Sequence, residues 1–554
     1  MRGRALQRSI AALAGALLLA AQAGGQPADD AQAASGTQLR ALLEERGATI
    51  RSISIVVDNV FDTSNPEEDK KLYHWANRVH VRTRPSVIAS ILLFREGDIF
   101  QGRLLDESAR ALRAHGFLAD ASVEPGAYDE STNSVDVAVR VRDSWSLAPD
   151  LKLGRSGGEN EYGIGMSDGN LFGTGKSLTV SYTSDVDRDE TYLGYSDANV
   201  RGTRVQLGAA LASASDGHRR FLSVQRPFFA LDTRWSLGGS VLNEERVDSM
   251  YDLGEIVDEF EHQIRSASLE GGFSHGLIDG RTRRWLFGFT SEEHLFAPTL
   301  EIPQPIVLPE DRKLVYPWVG FQLVEDDFRE MSELDDMGRT EDVSLGLNLF
   351  ASLGFSREGF GADRDARLLD ITAQKGWEPG GPGRLLLLDV RASARDEADG
   401  VRNATVYAGA RYYHRNLERH LFSASLSTLA GNRLDAENQV ALGGDNGLRG
   451  YPLRYQAGER SAILTLEQRF YTDWYPWRLF RVGYAVFMDA GRVWGEDPRA
   501  SPSLGTLYDL GIGLRLSSPR SSGRSVVHID LAFPLNGDPT IDDVQLIVET
   551  KSSF

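Results

Sequence analysis

The chain has 554 residues, no Cys, 56 Gly, 24 Phe, 17 Tyr and 9 Trp, and a formal net charge of −19. Without Cys, neither disulfides nor thiolate metal sites can hold it together, and the acidic balance argues against nucleic-acid binding, which needs a basic footprint. Mean hydropathy is only −0.30, and no apolar run beyond residue 24 approaches the roughly 18 residues of a spanning helix; this leaves a large soluble chain, or a transmembrane barrel whose lipid face is hidden by alternation.

Residues 1–23 read as a secretory signal. Arg2, Arg4 and Arg8 form a basic start, Ile10 to Ala20 an apolar core, and Ala21-Gln22-Ala23 an A-x-A cleavage site. Removing three Arg takes the net charge from −19 to −22. Residues 24–47 are small, polar and rich in Ala, Gln and Gly, which predicts a linker with a short helical patch at Gln38–Glu45.

Residues 48–145 predict a small α+β domain. Ile53, Ile55 and Val57 alternate with Ser52, Ser54 and Val56 as a strand. Pro85 opens a helix through Val87, Ile88, Ile91 and Leu92, and Gly97 ends it. A second helix carries Leu104, Leu105, Ala109 and Leu112 on one face and stops at His115-Gly116-Phe117. Strands follow near Ala121–Glu124 and through Val135, Val137, Val139 and Val141. The order strand, helix, helix, strand, strand, the helix–Gly–Phe junction and the stretch Leu92-Leu93-Phe94-Arg95-Glu96-Gly97-Asp98 together resemble a POTRA domain. The segment Asp62–His80 is longer than that pattern requires. The resemblance implies one periplasmic module whose exposed sheet edge can capture a client strand.

From residue 146 to 554 the period is two. Leu178, Val180 and Tyr182 alternate with Ser177, Thr179 and Ser181, and Phe422, Ala424, Leu426 and Thr428 alternate with Ser423, Ser425 and Ser427. Apolar residues outward and polar ones inward is the pattern of a membrane barrel. The 409 residues 146–554 would give sixteen strands at about 26 residues per strand and connection. The acidic gaps Asp185–Glu190, Asp216–Arg220, Glu325–Arg339 and Arg395–Arg402 fit outside loops, and Thr472–Trp477, with Trp474, Tyr475 and Trp477, fits an interfacial turn.

Two motifs in the last quarter carry the chemistry. Gly443-Gly444-Asp445-Asn446-Gly447-Leu448-Arg449-Gly450-Tyr451 is followed by Phe487-Met488-Asp489-Ala490-Gly491. With Asn170-Leu171-Phe172-Gly173-Thr174-Gly175 near the barrel start and an aromatic C-terminus, Phe554, they resemble the outer-membrane assembly superfamily typified by BamA and TamA. The resemblance implies a membrane all-β fold: a 16-stranded transmembrane barrel preceded by one POTRA domain, in the outer membrane of a Gram-negative-type bacterium. It implies that the Arg449 loop folds back into the lumen and pairs with Glu467 and Asp489, Gly450 allowing a tight turn and Tyr451 packing inside. A guanidinium suits this role because its planar fork bonds carboxylates bidentately and stays charged. Phe554 would be read by the machinery that inserts the chain itself.

No catalytic constellation competes: G-x-S-x-G and H-E-x-x-H are absent, the ten His are scattered, and Gly175-Lys176-Ser177 lacks the Gly that a phosphate loop needs five positions earlier. No enzyme, metal or cofactor is expected. The expected function is to assist insertion or translocation of other proteins, through strand capture by the POTRA and lateral opening of the barrel seam. The expected partners are lipid, client proteins and the assembly machinery. The alternatives are a dedicated secretion channel, a lipid-handling barrel and a passive porin.

Overall fold

The protein is described here as a computed structural model covering residues 27–551, except Arg524 and Thr540. The signal reading of residues 1–23 and the terminal Phe554 lie outside the described residues.

Most of residues 24–47 is not a linker. Pro27–Glu45 forms a helix, α1, whose Leu43 is fully buried and whose Leu39 packs beside it in the core of the small domain. The spacing of four sets both on one face. Glu44 Oε1 accepts the Gly102 N–H at 2.7 Å, satisfying an orphan donor at the start of another helix. The elements that follow are β1 (Thr49–Asp58), α2 (Lys71–Val79), α3 (Pro85–Ile91), α4 (Gly102–Arg113), β2 (Leu118–Asp129) and β3 (Ser134–Asp143). The sheet order is β1-β3-β2, with β3 parallel to β1 and antiparallel to β2. Val135, Val137, Val139 and Val141 of the central strand are all buried, against Ile88, Ile91, Leu105 and Leu112 of the helices. Burying each Val stabilises the domain by about 1.5–2 kcal/mol. Helix α2 occupies the long segment after β1.

The barrel begins with six short strands: β4 (Leu147–Ser156), β5 (Glu159–Asp168), β6 (Lys176–Ser184), β7 (Asp189–Asp197), β8 (Gln206–Ala214) and β9 (Gly217–Arg226). Long strands follow: β10 (Trp235–Asp252), β11 (Glu255–Ile278), β12 (Arg281–Pro298) and β13 (Arg312–Glu325). A hairpin of β14 (Phe328–Ser332) and β15 (Thr340–Ser344) precedes β16 (Asn348–Ser356), β17 (Ala366–Trp377), β18 (Arg384–Glu397), β19 (Gly400–Leu417) and β20 (His420–Asn432). Two three-residue strands, β21 (Val440–Leu442) and β22 (Gln456–Gly458), lie in the next connection. The last strands are β23 (Arg460–Tyr471), β24 (Arg481–Trp494), β25 (Leu507–Ser517), β26 (Val526–Pro534) and β27 (Gln545–Lys551).

Twenty of these strands close into one barrel, not sixteen. The count was low because β4–β9 fit six strands into residues 147–226, which is 80 residues or about 13 per strand. Turns of two to eight residues connect them. Neighbours in the barrel pair antiparallel, β13 with β16 and β20 with β23 across the two inserted strand pairs. Outward residues align across strands: Val486 faces Ile512, Ile512 faces Leu531 and Leu531 faces Leu546, all exposed. Among the described residues no helix is long and apolar enough to cross a membrane.

One end of the barrel, here the near end, carries the small domain. Two turns built alike dock there. Asn170 Oδ1 accepts the Gly175 N–H at 2.7 Å while its Nδ2 donates to Thr83 Oγ1 at 2.7 Å. One hairpin later, Asn199 Oδ1 accepts the Arg204 N–H at 2.7 Å and its Nδ2 donates to Ser90 Oγ at 2.9 Å. The Glu325–Arg339 segment also corrects an expectation. Strand β13 runs toward the near end, so this segment emerges beside the small domain, not on the far side. It folds as the β14–β15 hairpin into the lumen, where Leu334 and Met337 pack on Leu385, Tyr413, Leu421, Tyr471, Ala485 and Val526.

Candidate functional site in the barrel lumen

Strands β20 and β23 are neighbours in the wall, so residues 433–459 must leave and return at the same place. The segment folds into the lumen, braced by the β21–β22 ladder. At its tip the Leu448 N–H donates to Gly443 O at 2.9 Å, and the Gly444 N–H donates to Pro452 O at 2.9 Å. These bonds tighten the turn so that Arg449 projects toward the wall.

The Arg449 guanidinium meets three strands. Its Nε donates to Asp489 Oδ2 at 2.7 Å and its Nη2 to Asp489 Oδ1 at 3.1 Å, a bidentate fork. Its Nη1 reaches Glu467 Oε2 and Asp530 Oδ2, both at 3.2 Å. Its Cζ lies 3.3 Å from the centre of the Phe487 ring, so the flat face is covered as the edge is bonded. Glu467 is the hub of the network: Oε1 accepts Arg469 Nε at 2.9 Å, and Oε2 also accepts Arg515 Nη2 at 3.2 Å. Arg515 Nη1 bonds Asp530 Oδ1 as well. Asp509, in register with Asp489 on the neighbouring strand, accepts the Gly450 N–H at 3.1 Å. Three guanidiniums and four carboxylates are thus buried together. Charges this deep are tolerable only when paired and fully hydrogen-bonded.

Alternation explains why the strand motif has its form. Phe487, Asp489 and Gly491 sit two apart and all face inward. A Cβ at Gly491 would lie 2.9 Å from Leu448 Cδ2, and one at Gly511 would lie 2.1 Å from Phe487 Cζ. The two glycines leave room for the loop and for the ring beneath Arg449. Leu448 and Tyr451 are fully buried in a cluster with Leu442, Tyr455, Val493 and Leu507. The Tyr451 hydroxyl donates toward Tyr508 O at 2.9 Å and Asn536 O at 3.0 Å.

The loop also reaches the first barrel hairpin. The Leu453 N–H donates to Gly157 O at 3.2 Å. Arg454 forks onto Asp187 at 2.9 and 2.7 Å and lies 4.4 Å from the centre of the Tyr251 ring. Burial works against the Arg454 charge, but Asp187 outweighs it and holds the guanidinium above its ordinary pKa. Asp187, expected in a solvated outside loop, is therefore a loop anchor.

The structure brings Gly443, Gly444, Leu448, Arg449, Gly450, Tyr451, Glu467, Phe487, Asp489 and Gly491 into one site. Sequence reasoning missed Arg469, Asp509, Arg515 and Asp530. Their signal is parity: Asp509, Gly511, Gly513 and Arg515 share one face of β25, and His528, Asp530 and Ala532 one face of β26. Among the described residues no group of three or more His, Cys, Asp or Glu is placed to hold a metal ion.

Comparison with known proteins bears on the N-terminal domain first. The POTRA family, described as "Surface antigen variable number repeat", matches residues 79–143. The small domain is a POTRA. With the closed barrel behind it, the chain has a POTRA-plus-barrel build. The POTRA match starts at the end of α2, so α1 and β1 extend the domain beyond it. Among solved structures the chain is similar to BamA from Haemophilus ducreyi lacking POTRA domains 1–3, at 13% identity and TM-score 0.41, covering 96% of this chain and 94% of that one. It is similar to CdiB from Acinetobacter baumannii at 13% identity and TM-score 0.43, covering 91% and 73%. It is also similar to CdiB from Escherichia coli at 13% identity and TM-score 0.38, covering 96% and 99%. A search of the curated proteins found no match.

Proposed function

We propose that this protein sits in the outer membrane with its POTRA in the periplasm and helps other proteins insert into or cross that membrane, without catalysing a reaction. The observation that carries this reading is the seam. Strand β27 meets β4 through one registered pair, Val548 with Arg155, whereas β26 and β27 share seven. Backbone groups left unpaired in hydrocarbon cost several kcal/mol each, so a poorly paired seam is the part of the wall most readily joined by a client strand. The lumen, by contrast, holds both the Arg449 loop and the β14–β15 hairpin, which favours the seam over the pore as the client's route.

Clients would be barrel or secreted proteins presented as extended chains, first captured at the POTRA sheet edge. The chain's own insertion would use the same machinery that inserts other barrels. The test is a disulfide across the seam. The natural chain has no Cys, so Val548→Cys with Arg155→Cys, and neighbouring pairs with Cα atoms within about 7 Å, can be oxidised without side reactions. The locked barrel should fold, as seen by heat-dependent mobility on a denaturing gel, yet fail to support client assembly in cells until reduced. Normal client assembly with the disulfide closed would reject lateral opening and favour the channel through the lumen.

A further inference from the structure

The long segment between β1 and α3 does more than connect them. Val60, Phe61, Tyr73 and Ala76 form a small core with Trp145 and Leu479. The Tyr73 hydroxyl donates to Trp477 O at 2.7 Å, and Arg520 bonds Val60 O and Glu68 while lying 4.8 Å from the Phe61 ring centre. These contacts hold the segment to the near-end turns after β23 and β25. On the other side of the seam the Arg84 N–H donates to Gly173 O at 3.0 Å, and Thr83 bonds Asn170. Residues 59–84 therefore bridge the base of the β27–β4 seam.

Helix α2 at the centre of that bridge has three faces. Tyr73 and Ala76 are buried against the small core. Lys71, His74 and Arg78 make a basic stripe. Leu72, Trp75 and Val79, spaced three and four apart on one face, are 56%, 58% and 47% exposed. Among the described residues nothing covers them. The neighbouring turns are alike: Trp474, Trp477 and Phe480 on one side of the seam and Phe172 on the other are exposed. These aromatics continue the barrel's outward apolar surface at its near rim, where Trp is enriched at lipid headgroups.

We propose that α2 is an interfacial membrane anchor. Its Leu72–Trp75–Val79 face beds into the phospholipid leaflet bordering the near rim, beside the base of the seam, and Lys71 and Arg78 face the lipid phosphates. A helix with an apolar face and a flanking basic stripe is suited to lie in that plane. The occupant is lipid because the face is continuous with the wall that lipid covers, and because Lys71 and Arg78 flank it while the nearby Asp69 is paired with His74 at 2.7 Å. The inference rests on the membrane reading above, and it puts lipid contact at the point where a client would enter the seam.

Single Cys at positions 72 and 79, and at 74 and 78 on the basic stripe, would be spin-labelled in the full chain reconstituted in phosphatidylethanolamine/phosphatidylglycerol vesicles. Val319→Cys on the exposed outer wall is the reference. Labels at 72 and 79 should collide with oxygen and be several-fold less accessible to a water-soluble nickel chelate than labels at 74 and 78. If the chelate reaches 72 and 79 as readily as 74, while 319 is shielded in lipid, the anchor is wrong and the barrel reading stands. If 319 is also reached by the chelate, the membrane reading fails and the anchor with it. Protection of 72 and 79 from both reagents would assign the face to a protein partner and overturn the proposal.

Discussion

Arg113 of the POTRA helix α4 grips Asp342 of the lumen hairpin with two hydrogen bonds, Nε to Oδ2 at 2.8 Å and Nη2 to Oδ1 at 2.6 Å. Nη2 also reaches Glu330 Oε1 at 2.6 Å. At the hairpin tip, Tyr413 donates to Asp335 at 3.0 Å, Ser517 donates to Asp336 at 3.0 Å, and Arg469 Nη1 donates to Leu334 O at 2.5 Å. Arg469 also bonds Glu467 in the Arg449 cluster. A connected path thus runs from the POTRA through the hairpin backbone and its tip to the lumen loop.

Arg113→Ala leaves Asp342 and Glu330 facing each other without a cation, which should cost about 1.5–3 kcal/mol of hairpin docking. The hairpin should then leave the lumen more often. Planar-bilayer recordings should show ion-conducting openings that are rare in the parent. Replacing residues 331–341 by a short Gly linker should make the conducting state persistent. An unchanged conductance in the truncated protein would mean that the hairpin does not limit the pore.

Arg449→Ala should cost about 3–5 kcal/mol, because Asp489, Asp530 and Glu467 lose a shared partner in a buried site. Arg449→Lys should recover only part of this, since one ammonium cannot fork onto Asp489 while reaching the other two carboxylates. Urea unfolding followed by heat-dependent gel mobility should rank the three proteins parent, Lys, Ala. Equal stability of parent and Ala would remove the cluster from any structural role.

Gly511→Ala tests the room left for the ring under Arg449. The added methyl would sit 2.1 Å from Phe487 Cζ, so the ring or the strand must shift, at about 1–3 kcal/mol. Phe487→Leu in the same chain should relieve much of the crowding, although Leu cannot stack on the guanidinium. A double-mutant cycle in urea should therefore show coupling. Additive effects would place the strain elsewhere.

The POTRA sheet should weaken in acid by a defined route. The Arg51 fork at 2.9 and 2.5 Å, with help from Ser52 at 2.7 Å, holds the Asp136 carboxyl down at about 2. A depressed native pKa stabilises the fold above the unfolded carboxylate's pKa of about 3.9, and that gain is lost as pH falls from there toward 2. Pepsin cleavage between β1 and β3 in the detergent-folded chain should accelerate over that interval. Asp136→Asn should flatten this part of the profile. A parent whose cleavage rate does not rise between pH 4 and 2 beyond pepsin's own pH response would discount the pair.

Much of this architecture is legible because it obeys a period. The valines of β3 and the alternation of β6 and β20 can be read directly. Arg449 and Asp489 are legible through the resemblance that their motifs carry, which implies that the two meet. The strand number is harder, because strand and turn lengths differ across the barrel: β4–β9 have nine or ten residues each, while β11 has 24. An average length conceals that. Helix α1 looks like a linker because its composition is small and polar, and only the Leu39–Leu43 spacing hints at a buried face. Segment 325–339 looks solvated because its acids are many. They are matched by Arg113, Arg411 and Arg415, which are remote in sequence. Arg515 and Asp530 belong to the same case, since no local pattern joins residues on different strands.

The lumen loop has a mechanical consequence for the seam. It touches Gly157 just beyond the far end of β4 on one border, and Asp530 and Asn536 on and just after β26, the strand behind the other border. The two sides are therefore clasped at the far end by this loop and bridged at the near end by residues 59–84. Between these ties, among the described residues, β27 and β4 share the one registered pair of Val548 with Arg155, close to the Gly157 clasp. Pulled apart, a wall tied at both rims and thinly paired between them parts as a slot along its length, not as a wedge open at one rim. The length of that slot would set how much of an added strand could pair with either border before one of the two ties must yield.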